Sequence, residues 1–242
     1  SGAPIEDADV PPVSLPGAMA MCAGSESLPS WLTPGESGDY VAECGALKLF
    51  ITPFSEGVFR LRYQGDKPVA MPNHSYALVD EINSDSPHRI IVTDQGFRMC
   101  TENLALHVAE GNCSITLQDA SGDILVQDPE EGGYFEGPGY LDGPLPWSVG
   151  IRRRIESNDH FYGFGEKNGD LDKRGALMHF WNSDVPGYQP TTDPLYQSML
   201  NFVGLRGNTA YGVFTDNTFR SHADMGNTDA EHYTLLAEGG QI

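Results

Sequence analysis

Two consecutive segments alternate apolar and polar residues so regularly that they exclude a helix. In the first, Leu47, Leu49 and Ile51 fall on one face. In the second, after the turn Ser55-Glu56-Gly57, Phe59, Leu61 and Tyr63 point one way while Arg60 and Arg62 point the other. A period of two is the signature of a half-buried strand, and two such runs across a short turn read as an antiparallel hairpin. The pattern recurs at Arg89–Asp94 and across Leu104, Leu106, Val108, then Gly111-Asn112, then Ile115 and Leu117. The segment Asp119–Asp128 follows as a turn and a third short strand, and further runs lie at Tyr196–Val203, Ala210–Thr215 and Glu231–Leu236, with turns at Gly204–Asn208 and Asp216–Thr218. Many short strands separated by turns predict an all-β antiparallel sandwich.

The flanks differ. Residues 1–38 carry Pro4, Pro11, Pro12, Pro16, Pro29 and Pro34 without periodicity, which predicts an irregular arm, its first ten or so residues loose and Trp31 and Leu32 docked. The sandwich domain is expected over 39–242. Glu130–Pro146 reads as a loop rich in glycine and proline, and Trp147–Glu156 as an edge strand whose Arg152, Arg153 and Arg154 pair with carboxylates.

The stretch Phe161–Tyr196 is dense in Trp, Tyr, Asn and Asp, and Pro186, Pro190 and Pro194 forbid a long helix or a central strand in its second half. Such a segment predicts a long shaped loop with a function. Gly163, Gly165 and Gly169 superficially suggest a phosphate loop, but no βαβ pattern surrounds them; they are read as a sharp turn, with Glu166, Lys167 and Arg174 as an ion-pair set beneath it. Trp181, Asn182 and Asp184 combine an aromatic plate with amide and carboxylate groups, the chemistry that recognises sugar rings and hydroxyls. A core tryptophan with a turn-capping aspartate is the other reading.

The formal net charge of −20 repels phosphate backbones and anionic headgroups, so neither nucleic acid nor a membrane is an expected partner. Seven scattered histidines and no Asp-x-Asp-x-Asp-Gly loop give no metal site and no cofactor. Cys22, Cys44, Cys100 and Cys113 form no CxxC pair and are expected as buried reduced thiols. The chain is expected to be cytoplasmic, although a mature secreted chain would equally lack a leader.

The pieces FYGFGEK, LDKRG, WNSD, DPLYQS and AYGVFTDNTFRSHADMG occur in this order between Phe161 and Gly226. The region resembles the N-terminal domain of glycoside hydrolase family 31, the α-glucosidases and their relatives. Leu200 and Asn201 depart from the Ile-Pro-Phe that usually follows DPLYQS. The resemblance implies a galactose-mutarotase-like sandwich without catalytic residues of its own. It implies a partner, a (β/α)8 barrel after residue 242 carrying the catalytic carboxylates. It also implies an α-glucoside or related oligosaccharide as substrate of the whole enzyme, with Asp184 of the loop reaching the substrate pocket. The rivals are a free-standing carbohydrate-binding module using Trp147 or Trp181, and a mutarotase-type epimerase using His107 or His160 with a carboxylate.

Overall fold

The computed structural model describes residues 15–35, 38–67, 75, 77–78, 86–139, 143 and 145–242. The loose first ten residues of the expected arm, and residues 140–142 and 144 of the expected glycine- and proline-rich loop, lie outside them.

The first sheet is β1 (Leu32–Pro34), β2 (Tyr40–Cys44), β3 (Leu47–Ser55) and β4 (Val58–Gln64), in sequence order. The expected hairpin is β3 with β4, pairing Leu49 with Tyr63 and Ile51 with Leu61. The second sheet is also a meander: β5 (Arg89–Thr93), β6 (Gly96–Cys100), β7 (Leu104–Ala109), β8 (Ile115–Asp119) and β9 (Ile124–Gln127). Here Leu106 faces Leu117 and Val108 faces Ile115, the second expected hairpin.

The remaining strands are β10 (Tyr134–Pro138), β11 (Trp147–Arg154), β12 (Asp159–Gly165), β13 (Leu177–Phe180), β14 (Ser198–Arg206), β15 (Thr209–Phe214), β16 (Ser221–Asp224) and β17 (His232–Ala237). They interleave. One sheet runs β10-β11-β17-β16-β13 and another runs β12-β14-β15. Among the described residues every pairing is antiparallel, and the main apolar core draws Leu49, Phe97, Leu106, Phe161, Phe202 and Leu235 from all four sheets. This is an antiparallel β-sandwich of the galactose-mutarotase-like type.

Several expectations are corrected. The lead-in is not irregular throughout: Gly17–Cys22 forms a 3-10 turn and β1 pairs with β2. Ala18 and Cys22 are fully buried against Cys100 and Ala105, so this turn is part of the body. The four cysteines are buried as expected but not reduced. Cys22 is joined to Cys100 and Cys44 to Cys113, over sequence separations of 78 and 69. Pairing across such distances is decided by the fold and leaves no local spacing to read.

The expected loop Glu130–Pro146 contains β10, and β10 covers β11, which is therefore interior instead of an edge. The arginines do pair internally: Arg153 is buried against Asp128, and Arg152 meets Asp229. The glycine-spaced turn is a β-bulge inside β12, where Gly163 (φ 116°), Phe164 (φ 71°) and Gly165 (φ 75°) follow one another in the positive-φ region. The bulge turns the Phe164 ring into the core, 4.9 Å from Phe202, and returns the strand to register at Gly165 and Ser198.

Candidate functional site: a braced loop beside a strand pair

Residues 181–197 connect β13 to β14 and make up the irregular part of the expected long loop. Its two ends are tied together by the chain itself. The Asn182 side-chain oxygen accepts the Ser198 amide at 2.7 Å, the Ser183 amide donates to the Leu195 carbonyl at 3.0 Å, and the Tyr196 hydroxyl donates to the Val185 carbonyl at 2.5 Å. Farther out, Asn168 donates to the carbonyls of Gln189 and Thr192, at 2.9 and 3.0 Å. Tyr188 and Tyr196 meet edge to face, 6.3 Å apart.

Beneath the loop lies a chain of charges. Asp193 accepts the Lys167 ammonium at 2.5 Å and the His179 amide at 2.6 Å. Burial pulls the Lys167 ammonium below its ordinary pKa, and the Asp193 hydrogen bond opposes that pull. The Lys167 Nζ also stands 4.2 Å from the Phe180 ring centre, a cation–π contact. The His179 ring meets His222 edge to face at 5.0 Å, and His222 Nε2 is 2.7 Å from the buried Glu238 carboxylate. Glu238 lies 3.6 Å from Arg220, whose guanidinium stands over the Trp181 ring at 5.6 Å.

The expected ion-pair set is therefore different from the one predicted. Lys167 pairs with Asp193, and Arg174 donates to the backbone carbonyls of Glu156 and Asp159. Glu166 contributes its backbone amide to the Gln197 carbonyl. Nearby Asp172 accepts His160 at 2.6 Å and the amides of Phe161 and Arg174 at 3.0 Å. Burial raises its carboxyl, but these hydrogen bonds together hold it below the usual range.

Trp181, Asn182 and Asp184 are each exposed at the start of the 181–197 loop. Trp181 is 52% exposed, against the core-tryptophan alternative. Asn182 has its oxygen engaged in holding the loop. Asp184 is exposed, and no described hydrogen bond or ion pair engages its carboxylate. The loop-bracing residues Asp193, Arg220 and Glu238 were not legible in the sequence, because each acts through partners brought by other strands.

A second feature is a cleft of about 800 Å³ between the sheets, bordered by β4, β14 and β15. Among the described residues lining it there is no histidine and no glutamate. His160 does pair with an acid, Asp172, but neither lines the cleft, and His107 is bonded to Thr93 at 3.2 Å. Among the described residues no histidine–carboxylate pair lines this cleft. Trp147 lies within β11 with its ring partly covered, which leaves Trp181 as the exposed plate. Among the described residues no cluster of three or more His, Cys, Asp or Glu is arranged to hold a metal, and no helix is long and apolar enough to cross a membrane.

Fold and loop together define a class, a mutarotase-like β-sandwich carrying a braced aromatic–carboxylate loop. Residues 48–224 match the family model described as the glycosyl hydrolase 31 N-terminal galactose mutarotase-like domain. The chain belongs to that family. It is 40% identical over 129 residues to Alpha-glucosidase 2 of Bacillus thermoamyloliquefaciens, covering 53% of this chain and 15% of that protein. It is 28% identical over 76 residues to an Alpha-glucosidase of Saccharolobus solfataricus, covering 31% and 11%. The chain thus spans a small part of the length of these relatives. Among solved structures, the fold is shared with a Flavobacterium johnsoniae GH31 dextranase complexed with isomaltotriose, with a TM-score of 0.72 at 24% identity over 94% of this chain and 26% of that one. It is also shared with the cycloalternan-forming enzyme of Listeria monocytogenes, with a TM-score of 0.67 at 14% identity, covering 88% and 20%.

Proposed function

We propose that this domain is the non-catalytic N-terminal sandwich of a retaining α-glucosidase-like glycoside hydrolase. Its tasks are to brace a following (β/α)8 barrel and to lend the loop Trp181–Asp184 to a sugar subsite. The observation that carries this reading is the unpaired, exposed Asp184 carboxylate on a loop that Asn182, Asp193 and Lys167 hold in place. A rigidly supported carboxylate beside an exposed indole presents both things a sugar needs, an acceptor for hydroxyls and a plate for the ring face. Bond cleavage with retention needs two carboxyl groups about 5 Å apart across the scissile bond, and that pair belongs to the barrel. The substrate is an α-glucoside or related oligosaccharide.

Two disulfides also point to folding in an oxidising compartment, in place of the cytoplasm expected from the sequence, since such bonds are rare where thioredoxin and glutathione keep thiols reduced.

The test is Asp184→Ala in the full-length enzyme, with Asp184→Asn as the variant that keeps the shape and removes the charge, and with kcat/KM and thermal stability measured together. Losing a hydrogen bond to a charged group costs about 1.5–3 kcal/mol, so kcat/KM should fall by roughly tenfold to a few hundredfold with the Tm unchanged. Wild-type kinetics with a lowered Tm would make Asp184 a structural residue and end this reading of the loop.

A further inference from the structure

The cleft between the sheets is lined by core side chains of all four, among them Leu61, Leu117, Ile151 and Phe202. Protein interiors are packed to the density of organic crystals, with few voids larger than a water molecule, so an apolar cleft of about 800 Å³ reaching the core calls for an occupant. The charged groups along it are already engaged. Arg60 pairs with Asp216 at 3.7 Å, Arg62 pairs with Asp39 at 3.7 Å, and Arg153 is held by Asp128 and the Tyr63 hydroxyl. What the cleft offers is apolar wall and two backbone edges.

Those edges are β4, the last strand of its sheet, and β15, the last strand of another. An edge strand presents unpaired N–H and C=O groups, a template for a further strand. One rung is already in place, because the Tyr63 amide donates to the Ile242 carbonyl at 2.9 Å. Asn217, three residues past the end of β15, donates to the carbonyls of Gly239 and Gln241 at 3.0 and 2.6 Å. Residues 239–242 are thereby fixed against the ends of both edges, and the β4 residues lining the cleft run back from Tyr63 to Val58.

We propose that the cleft is the seat of one more β-strand, antiparallel to β4 and inserted between β4 and β15, supplied by the same polypeptide directly after Ile242. The wall from Tyr63 back to Val58 accommodates about six residues, or about 20 Å of strand. Covered by sheets on both faces, this strand is a nearly continuous apolar run and not an alternating one. It joins the β4 sheet to the β15 sheet and seals the core. The inference rests on the proposal that the domain is part of a longer polypeptide, but not on any role for Asp184.

Amide hydrogen exchange, compared between the full-length protein and the chain 1–242, tests it. Strand geometry has a period of two, so the amides of Leu61 and Phe59 point the same way as that of Tyr63, toward the cleft. Protection of Leu61 and Phe59 should be at least a hundredfold greater in the full-length protein than in 1–242. The dye ANS should bind 1–242 and not the full-length protein. Equal, fast exchange at both amides together with ANS binding to the full-length protein would identify an open ligand cleft and overturn the proposal. Equal protection in a 1–242 chain that sediments as a dimer would assign the edges to a second copy, and overturn it too. Glycosidase activity of the same full-length preparation is scored separately, so failure of the functional reading is distinguishable from failure of this one.

Discussion

Asp193 and Lys167 meet at 2.5 Å under the 181–197 loop, and the same carboxylate accepts the amide of His179 at 2.6 Å. One side chain thus ties the bulged strand β12, the strand β13 and the returning end of the loop. The Lys167 side chain is only 3% exposed, so its charge depends on this partner.

Asp193→Ala should therefore destabilise the domain by about 3 kcal/mol, because removing one member of a buried pair leaves the other uncompensated. For a chain of this size that corresponds to a Tm lower by about 6–12 °C. The double variant Asp193→Ala with Lys167→Met should recover part of the loss. Thermal unfolding of the three proteins checks this, and a double variant no more stable than the single one would show that Asp193 acts through His179 instead.

Both disulfides should be present in the protein as purified from an oxidising compartment. Thiol titration after denaturation without reductant should find no free thiol. In the chain-entropy account, loops closed over 78 and 69 residues are each worth about 4 kcal/mol. Reduction should lower the Tm substantially, and Cys22→Ser with Cys100→Ser should make residues 15–31 newly sensitive to protease while the body resists. Unchanged digestion would show that Ala18 and its apolar neighbours hold the turn without the bond.

Stability should fall on mild acidification. Burial holds the imidazole of His107 below its ordinary pKa, with Arg98 adding to the effect, and burial does the same to His222 against the pull of Glu238. A histidine depressed in the folded state takes its proton first in the unfolded chain. Stability is then full above about pH 6.5 and declines as pH falls from there toward the folded pKa values. Asp172, also depressed, adds a loss only below about pH 3.8, through its own lower folded pKa. Tm measured at pH 7.5 and 5.5 should drop in the wild type and drop less in His107→Gln. Equal drops would assign the acid sensitivity elsewhere.

The isolated chain should show no turnover of aryl α-glucosides. Hydrolysis needs a positioned pair of carboxyl groups flanking the bond, and among the described residues no contact ties a second carboxyl group to Asp184. Turnover by 1–242 that vanishes in Asp184→Ala would make this domain an enzyme in its own right.

The alternation of Leu49 with Ile51, of Leu61 with Tyr63, and of Leu106 with Val108 determined the strands and the two N-terminal hairpins. A period of two records which face of a strand is buried, and hairpin partners are sequence neighbours. The motif run from Phe161 to Gly226 likewise carried the family. The tertiary structure decided what depends on distant partners. β13 and β16 gave no clear signal; they exist as strands because β13 pairs with β16 and β16 with β17, partners that come from distant parts of the chain. The FYGFG segment reads as a turn from its glycines, yet β14 pairs along both sides of Phe164 and makes it a bulge. Cys22 and Cys44 found their partners only when the lead-in turn and β2 were packed against the second sheet. Asn182 was legible from sequence only as an amide suited to sugar hydroxyls, and its part in the loop itself was not. Folding set its oxygen 2.7 Å from the Ser198 amide, where it holds in place the loop on which Asp184 stands.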